Sequence, residues 1–102
     1  MKTVYFSRMV IGECISDAQV KEFCELAESN GIGEQPGFVS SELLTELDGR
    51  MVIQVSTWKT REDCFRYHSS RSYRQFVTAT QHLLVGNFVV KLFENRSTVG
   101  AL

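Results

Sequence analysis

The chain has 102 residues, enough for one domain and too few for a second core. A formal net charge of −1 excludes nucleic-acid binding that relies on a bulk positive field, and 43% hydrophobic with 23% charged residues is ordinary for a globular protein. No apolar run approaches the ~20 residues of a membrane span, and none follows a basic N-terminal segment, so the expectation is an unprocessed cytoplasmic protein with no membrane partner.

Thr3 to Ile11 reads as a strand, rich in β-branched and aromatic residues. Val4, Phe6, Arg8 and Val10 share one face; Tyr5, Ser7, Met9 and Ile11 share the other. Gly12 is expected to break it. Ser16 or Asp17 caps a first helix, in which Val20, Phe23, Cys24 and Ala27 form a buried stripe and Glu22, Glu25 and Glu28 lie mostly off it. Asn30-Gly31 ends that helix, with Gly31 as its left-handed C-terminal residue.

Pro36-Gly37 turns the chain into a hairpin of Phe38 to Leu47 and Met51 to Trp58, joined at Asp48-Gly49, a pair suited to a tight two-residue turn. On the first strand Val39, Leu43 and Leu47 alternate with Phe38 and Leu44; on the second Met51, Ile53 and Val55 alternate with Val52, Gln54, Ser56 and Trp58. Thr60 caps the next helix, with Asp63 as the reciprocal carboxylate. That helical region runs to about Leu84 and breaks near Ser69-Ser70, where serine side chains satisfy backbone groups locally and Ser70 can cap a renewed helix. Tyr73, Phe76, Val77, Thr80, Leu83 and Leu84 then form a long apolar stripe. Gly86-Asn87 closes it, Phe88 to Glu94 is a last strand, and residues 95–102 are a polar tail.

Strand, helix, strand, strand, helix, strand is the order of a ferredoxin-like split β-α-β domain, an α+β fold with a four-stranded antiparallel sheet and its helices on one face. Residues such as Phe6, Val10, Ile53 and Val55 then need cover on the other face. A second copy of the sheet supplies it, so the expected state is a homodimer with sheets face to face, the tail reaching toward the partner.

The segments P-G-F-V-S-S-E-L-L, D-G-R, W-K-T-R-E-D and S-x-x-Y-x-x-F resemble the antibiotic-biosynthesis monooxygenase domain family, over nearly the whole chain and most closely from Pro36 to Phe76. The resemblance implies a dimeric α+β barrel and, for the oxygenase branch, a reaction on small aromatic or quinol-type molecules with no metal and no cofactor. The protein's task there is to hold and desolvate a flat ring and assist its loss of a proton. The expected catalytic set is Gln54, Trp58, Tyr67 and His68. Trp58 matches the family's strand-ending tryptophan, as a packing anchor, a stacking wall or both. Gln54 projects from the same strand face, so its amide can bond a phenol or quinone oxygen. Tyr67 and Ser72 occupy the positions where many members carry histidines, and His68 falls one residue late. Tyr5, Ser7, Tyr73 and Phe76 are substrate-binding candidates, with Arg66 at the rim to select an acidic ligand. Arg61, Arg66, Arg71 and Arg74 read most simply as a solvated face, with Arg66 or Arg74 at the pocket rim as the second reading, and His82 as a surface residue.

Haem degradation is the weaker alternative, because Val77 stands where that branch has its histidine ligand, leaving His68 as a substitute. A non-catalytic ligand-binding dimer is the other alternative. Cys14, Cys24 and Cys64 have no metal-ligand spacing and read as idle thiols, with a reactive Cys64 near the pocket as the second reading.

Overall fold

The computed structural model describes residues 4–97 and 99–100. The expected strand start at Thr3 and tail residues Thr98, Ala101 and Leu102 lie outside them. The described elements are β1 (Phe6–Glu13), α1 (Asp17–Glu28), β2 (Phe38–Thr45), β3 (Met51–Trp58), α2 (Arg61–His68), α3 (Arg71–Thr80) and β4 (Val89–Glu94), with short 3-10 turns at Ile32–Glu34 and Gln81–Leu83. The four strands form one antiparallel sheet in the order β2-β3-β1-β4, which is the ferredoxin-like arrangement.

The two helix breaks and caps follow the serine and threonine chemistry. Thr60 accepts from the Asp63 amide at 3.0 Å and starts α2. Ser70 accepts from the Tyr73 amide at 3.1 Å and also donates to the Tyr67 carbonyl at 2.6 Å, so one hydroxyl ends α2 and begins α3. Ser16 occupies the N-cap of α1, and its hydroxyl meets Gln19 rather than a backbone amide. Gly31 is left-handed, with φ 74°, but it opens the 3-10 turn; Ser29 is the residue that caps α1.

Four local expectations need correction. Gly12 does not break β1, which runs on to Glu13 with Gly12 opposite Val52; the missing Cβ instead lets Leu84 and Phe88 close over the strand, both lying 3.0 Å from where that atom would sit. The hairpin turn is longer than two residues: Glu46 donates to the Met51 carbonyl at 2.9 Å, only Asp48 of the pair has positive φ (57°), and β2 ends at Thr45. A bulge between Phe38 and Ser40 sets Val39 aside, so Phe38 joins the Trp58 face while Leu44 stays opposite Ile53 on the other. Finally, Phe6 and Val10 are on the helix-covered face, opposite Trp58 and Gln54, and not beside Ile53 and Val55. The open face carries Met9 opposite Val55 and Ile11 opposite Ile53.

The core therefore lies between the helices and the even-numbered positions of β1 and β3. Phe23 of α1, Phe76 of α3 and Phe88 meet at centroid distances of 5.6–6.0 Å. Val10, Val52 and Leu83 complete the packing beneath them.

Candidate functional site

On the helix-covered face β1 presents Phe6, Arg8 and Val10 in succession, and Arg8 is 0% exposed. A guanidinium at the centre of a sheet, flanked by β3 and β4, requires partners that the strands themselves do not supply. They come from α2 and α3. Arg8 Nη2 donates to His68 Nδ1 at 3.0 Å, the guanidinium lies 3.9 Å from the Tyr73 ring centroid, and it lies 5.2 Å from that of Tyr67. Arg8 Nε and Nη1 have no partner.

The surrounding rings form a column. Trp58 is fully buried, meets Phe38 edge-on at 5.8 Å, and stacks on Tyr67 at 5.1 Å with its Nε1 donating to Ser56 Oγ at 2.9 Å. Next to Tyr67, with ring centroids 5.6 Å apart, Tyr73 stacks on His68 at 5.4 Å. The Ser69-Ser70 break lets this happen, because it sets Tyr67 and His68 at the end of α2 and Tyr73 at the start of α3 around one strand residue. Asn30 braces the column by donating to the Tyr67 hydroxyl at 3.3 Å.

Burial pushes the Tyr67 phenol up to about 12, against the lowering effect of Arg8. Burial lowers the His68 pKa from its ordinary value, and the Arg8 charge lowers it further. A neutral His68 whose Nδ1 accepts from Arg8 carries its proton on Nε2, so the ring offers a donor there rather than a base. Burial also raises the Cys64 thiol, which argues for the idle-thiol reading.

Between α3 and β4 lies a cleft of about 500 Å³, lined by Tyr73, His68, Val77, Leu84, Phe88 and Val90 among others. Its wall includes His68 and Tyr73, two of the three rings around Arg8. Gln54 lies on the same sheet face with Oε1 unpaired and buried, and it lines a smaller cavity of about 190 Å³ between α1 and β2. Tyr67, His68 and Tyr73 are thus brought together, with Trp58 and Gln54 on the sheet beneath. Phe76 is packed in the Phe23–Phe88 core. Ser7 sits on the opposite sheet face, donating to Asn95 Oδ1 at 2.7 Å, and Tyr5 precedes β1. Arg66 is exposed and paired with Asp63 at 2.9 Å.

Arg8 is the residue that sequence reasoning missed. Its signal was a charge inside an aromatic and β-branched strand, on the same face as Phe6 and Val10. No three His, Cys, Asp or Glu side chains converge on a possible metal position among the described residues. His68 Nδ1 faces a cationic donor, the reverse of the carboxylate or carbonyl acceptor that a ligating histidine prefers, so it fits haem iron poorly.

No protein-family model and no curated protein matches the sequence. Solved structures do match in fold. A monooxygenase from the gene ActVA-Orf6 of Streptomyces coelicolor, in complex with nanaomycin D, superposes with a TM-score of 0.84 at 21% identity, covering 98% of this chain and 95% of that one. A variant of SnoaB, a cofactor-independent oxygenase from Streptomyces nogalater, has a TM-score of 0.71 at 20% identity, covering 98% and 100%. A Nitrosomonas europaea protein assigned to antibiotic biosynthesis monooxygenases has a TM-score of 0.79 at 14% identity, covering 98% of each. The chain has the fold of the antibiotic biosynthesis monooxygenases.

Proposed function

We propose that the protein is a cofactor-independent monooxygenase of this fold family, acting as a homodimer on a small aromatic or quinol-type molecule. The observation that carries the reading is the juxtaposition of the 500 Å³ cleft with the Tyr73–His68 ring pair, backed by the Trp58–Tyr67 stack. A flat ring seated in the cleft gains apolar contact from Val77, Leu84 and Phe88 and loses its water. His68 Nε2–H donates to a ring oxygen at the cleft wall. Electron flow comes from the ionised substrate itself: a ring methylene gives up two hydrogens to dioxygen, one oxygen atom becomes the new carbonyl and the other leaves as water.

The homodimer rests on the open sheet face. Met9, Ile11, Ile53 and Val55 occupy its centre, with Leu44, Val89 and Phe93 exposed around them. A second sheet against this face buries them all.

Oxygen uptake with anthrone-type or hydroquinone substrates tests the reading. Consumption above the buffer rate, reduced at least about tenfold in Tyr73→Ala, is expected. Uptake equal to the blank with tight ring binding would make the protein a binding module instead.

A further inference from the structure

We infer that Arg8 is a positioning residue for the cleft: its guanidinium fixes the tautomer and the ring orientation of His68, which then meets a ligand as a neutral hydrogen-bond donor. The inference deepens the proposed function and rests on the cleft being the ligand site. Arg8 is fully buried and does not line that cleft, so its effect on a ligand passes through a neighbour.

The neighbour is His68. A guanidinium has donors and no acceptor, so the 3.0 Å bond from Nη2 to Nδ1 requires a bare Nδ1. That contact excludes both the Nδ1–H tautomer and the imidazolium. It is also the one hydrogen bond that the Arg8 side chain makes among the described residues, since Nε and Nη1 have none. A cation buried with so few partners is a cost to the fold, and Ser56 and Leu92, opposite it on β3 and β4, carry no charge to offset it.

Orientation follows from two constraints. Tyr73 stacks on His68 with centroids 5.4 Å and planes 29° apart, holding one face, while Arg8 holds one edge. Arg8 is itself held against Tyr73, whose ring centroid lies 3.9 Å from the guanidinium carbon. His68 is otherwise exposed and lines the cleft, which leaves Nε2–H as its polar atom for a ligand.

One feature opposes the neutral form. His68 is the last residue of α2, where the helix dipole favours a cation. Arg8 counters it from β1. The helix adds Cys64 and Tyr67, kept neutral by burial, and Arg66, paired with Asp63. From α3 come Tyr73 and Arg74, Phe88 and Val90 bring no titratable group, and no Asp or Glu is among the described residues lining the cleft. The cleft thus offers His68 as a donor with no carboxylate base beside it. The ligand oxygen that meets it is an acceptor, the carbonyl of a ketone or quinone.

Nitrogen-15 NMR of the ligand-free full chain reads the tautomer directly, with His82→Gln assigning the two histidines. Native His68 should show a bare Nδ1 and a protonated Nε2 at neutral pH, titrating below 6.5. In Arg8→Met both nitrogens should move toward tautomer-averaged shifts and the titration should move up toward 6.5. Arg8→Lys, whose ammonium also only donates, should restore part of the native pattern. Circular dichroism confirms that each variant is folded. Unchanged His68 nitrogens in Arg8→Met would mean that Arg8 is merely structural and would overturn the inference. Calorimetric titration with 1-tetralone, whose oxygen only accepts, and tetralin, the same rings without that oxygen, carries the effect to a ligand. The ratio of the two affinities should fall at least about threefold in Arg8→Met and in His68→Phe. A ratio that survives both substitutions would overturn the donor role while leaving the cleft a ligand site. Failure of both probes to bind the native protein would remove the cleft as a ligand site, whatever the NMR shows, and the inference with it.

Discussion

Arg8 concentrates the problem of this molecule in a single side chain. A buried cation with two unbonded nitrogens is a burden on folding, and replacement by an apolar residue of similar length relieves it. Arg8→Met is therefore expected to leave the unfolding free energy unchanged or to raise it by up to about 4 kcal/mol, read by urea denaturation, while oxygen uptake falls. A large loss of stability would mean that Arg8 serves the fold. His68 adds a pH signature. Its folded pKa is lowered from 6.5, so its contribution to stability is present above 6.5 and is lost as pH falls through the lower folded value. Protonation also puts a proton on Nδ1, where Arg8 donates. The melting temperature of the native protein should drop more on acidification below 6.5 than that of His68→Gln, which has no ring to charge. Equal slopes would count against the Arg8–His68 bond. Strand periodicity groups Arg8 with Phe6 and Val10, so its charge stands out, yet periodicity cannot say which of two half-apolar faces the helices cover. The helix-side position decides it: Ser7 ends beside Asn95, and Arg8 ends beneath Tyr73.

Among the elements, the junction of α2 and α3 sets the site. Ser70 bonds the last turn of one helix and the first amides of the next, and its removal frees both ends. Ser70→Ala should cost about 1 kcal/mol of stability and loosen Tyr67 and Tyr73 around Arg8. A change under about 0.3 kcal/mol would mean that the tertiary contacts alone hold the break. Gly37 belongs to a second junction: its φ of 77° and the Asp63 carboxylate, which a Cβ would overlap, leave no room for a side chain. Gly37→Ala should destabilise by more than about 1 kcal/mol in the same assay. These junctions were legible because capping chemistry is local, and Thr60, Asp63 and Ser70 act within one turn of their own position. The hairpin was legible in existence and not in detail. Asp48-Gly49 names a turn, but Glu46 closes a wider loop and the Val39 bulge changes which residues share a face. Both are set by pairing across the sheet, which no short window contains.

At the scale of the whole molecule, the two faces of the sheet divide the work: one holds the charged, aromatic site and the other is apolar and open. Ile53 sits near the centre of the open face, opposite Ile11 and Leu44. Ile53→Lys should convert the proposed homodimer to a monomer in sedimentation equilibrium with its circular dichroism retained; a native chain that sediments at single mass would refute the dimer. The order of elements and the sheet topology followed from pattern and connection rules, and the solved structures of the same fold agree with it. The proposed cleft did not follow from the pattern, since Tyr73, His68 and Phe88 reach it from three separate segments of the chain. The central claim is transfer of an oxygen atom to a ring, and isotope-labelled dioxygen tests it most directly. The account predicts that mass spectrometry of the quinone formed from an anthrone-type substrate finds one labelled oxygen per turnover, dependent on folded protein. Unlabelled product, or labelled product at the rate of the buffer alone, would contradict it.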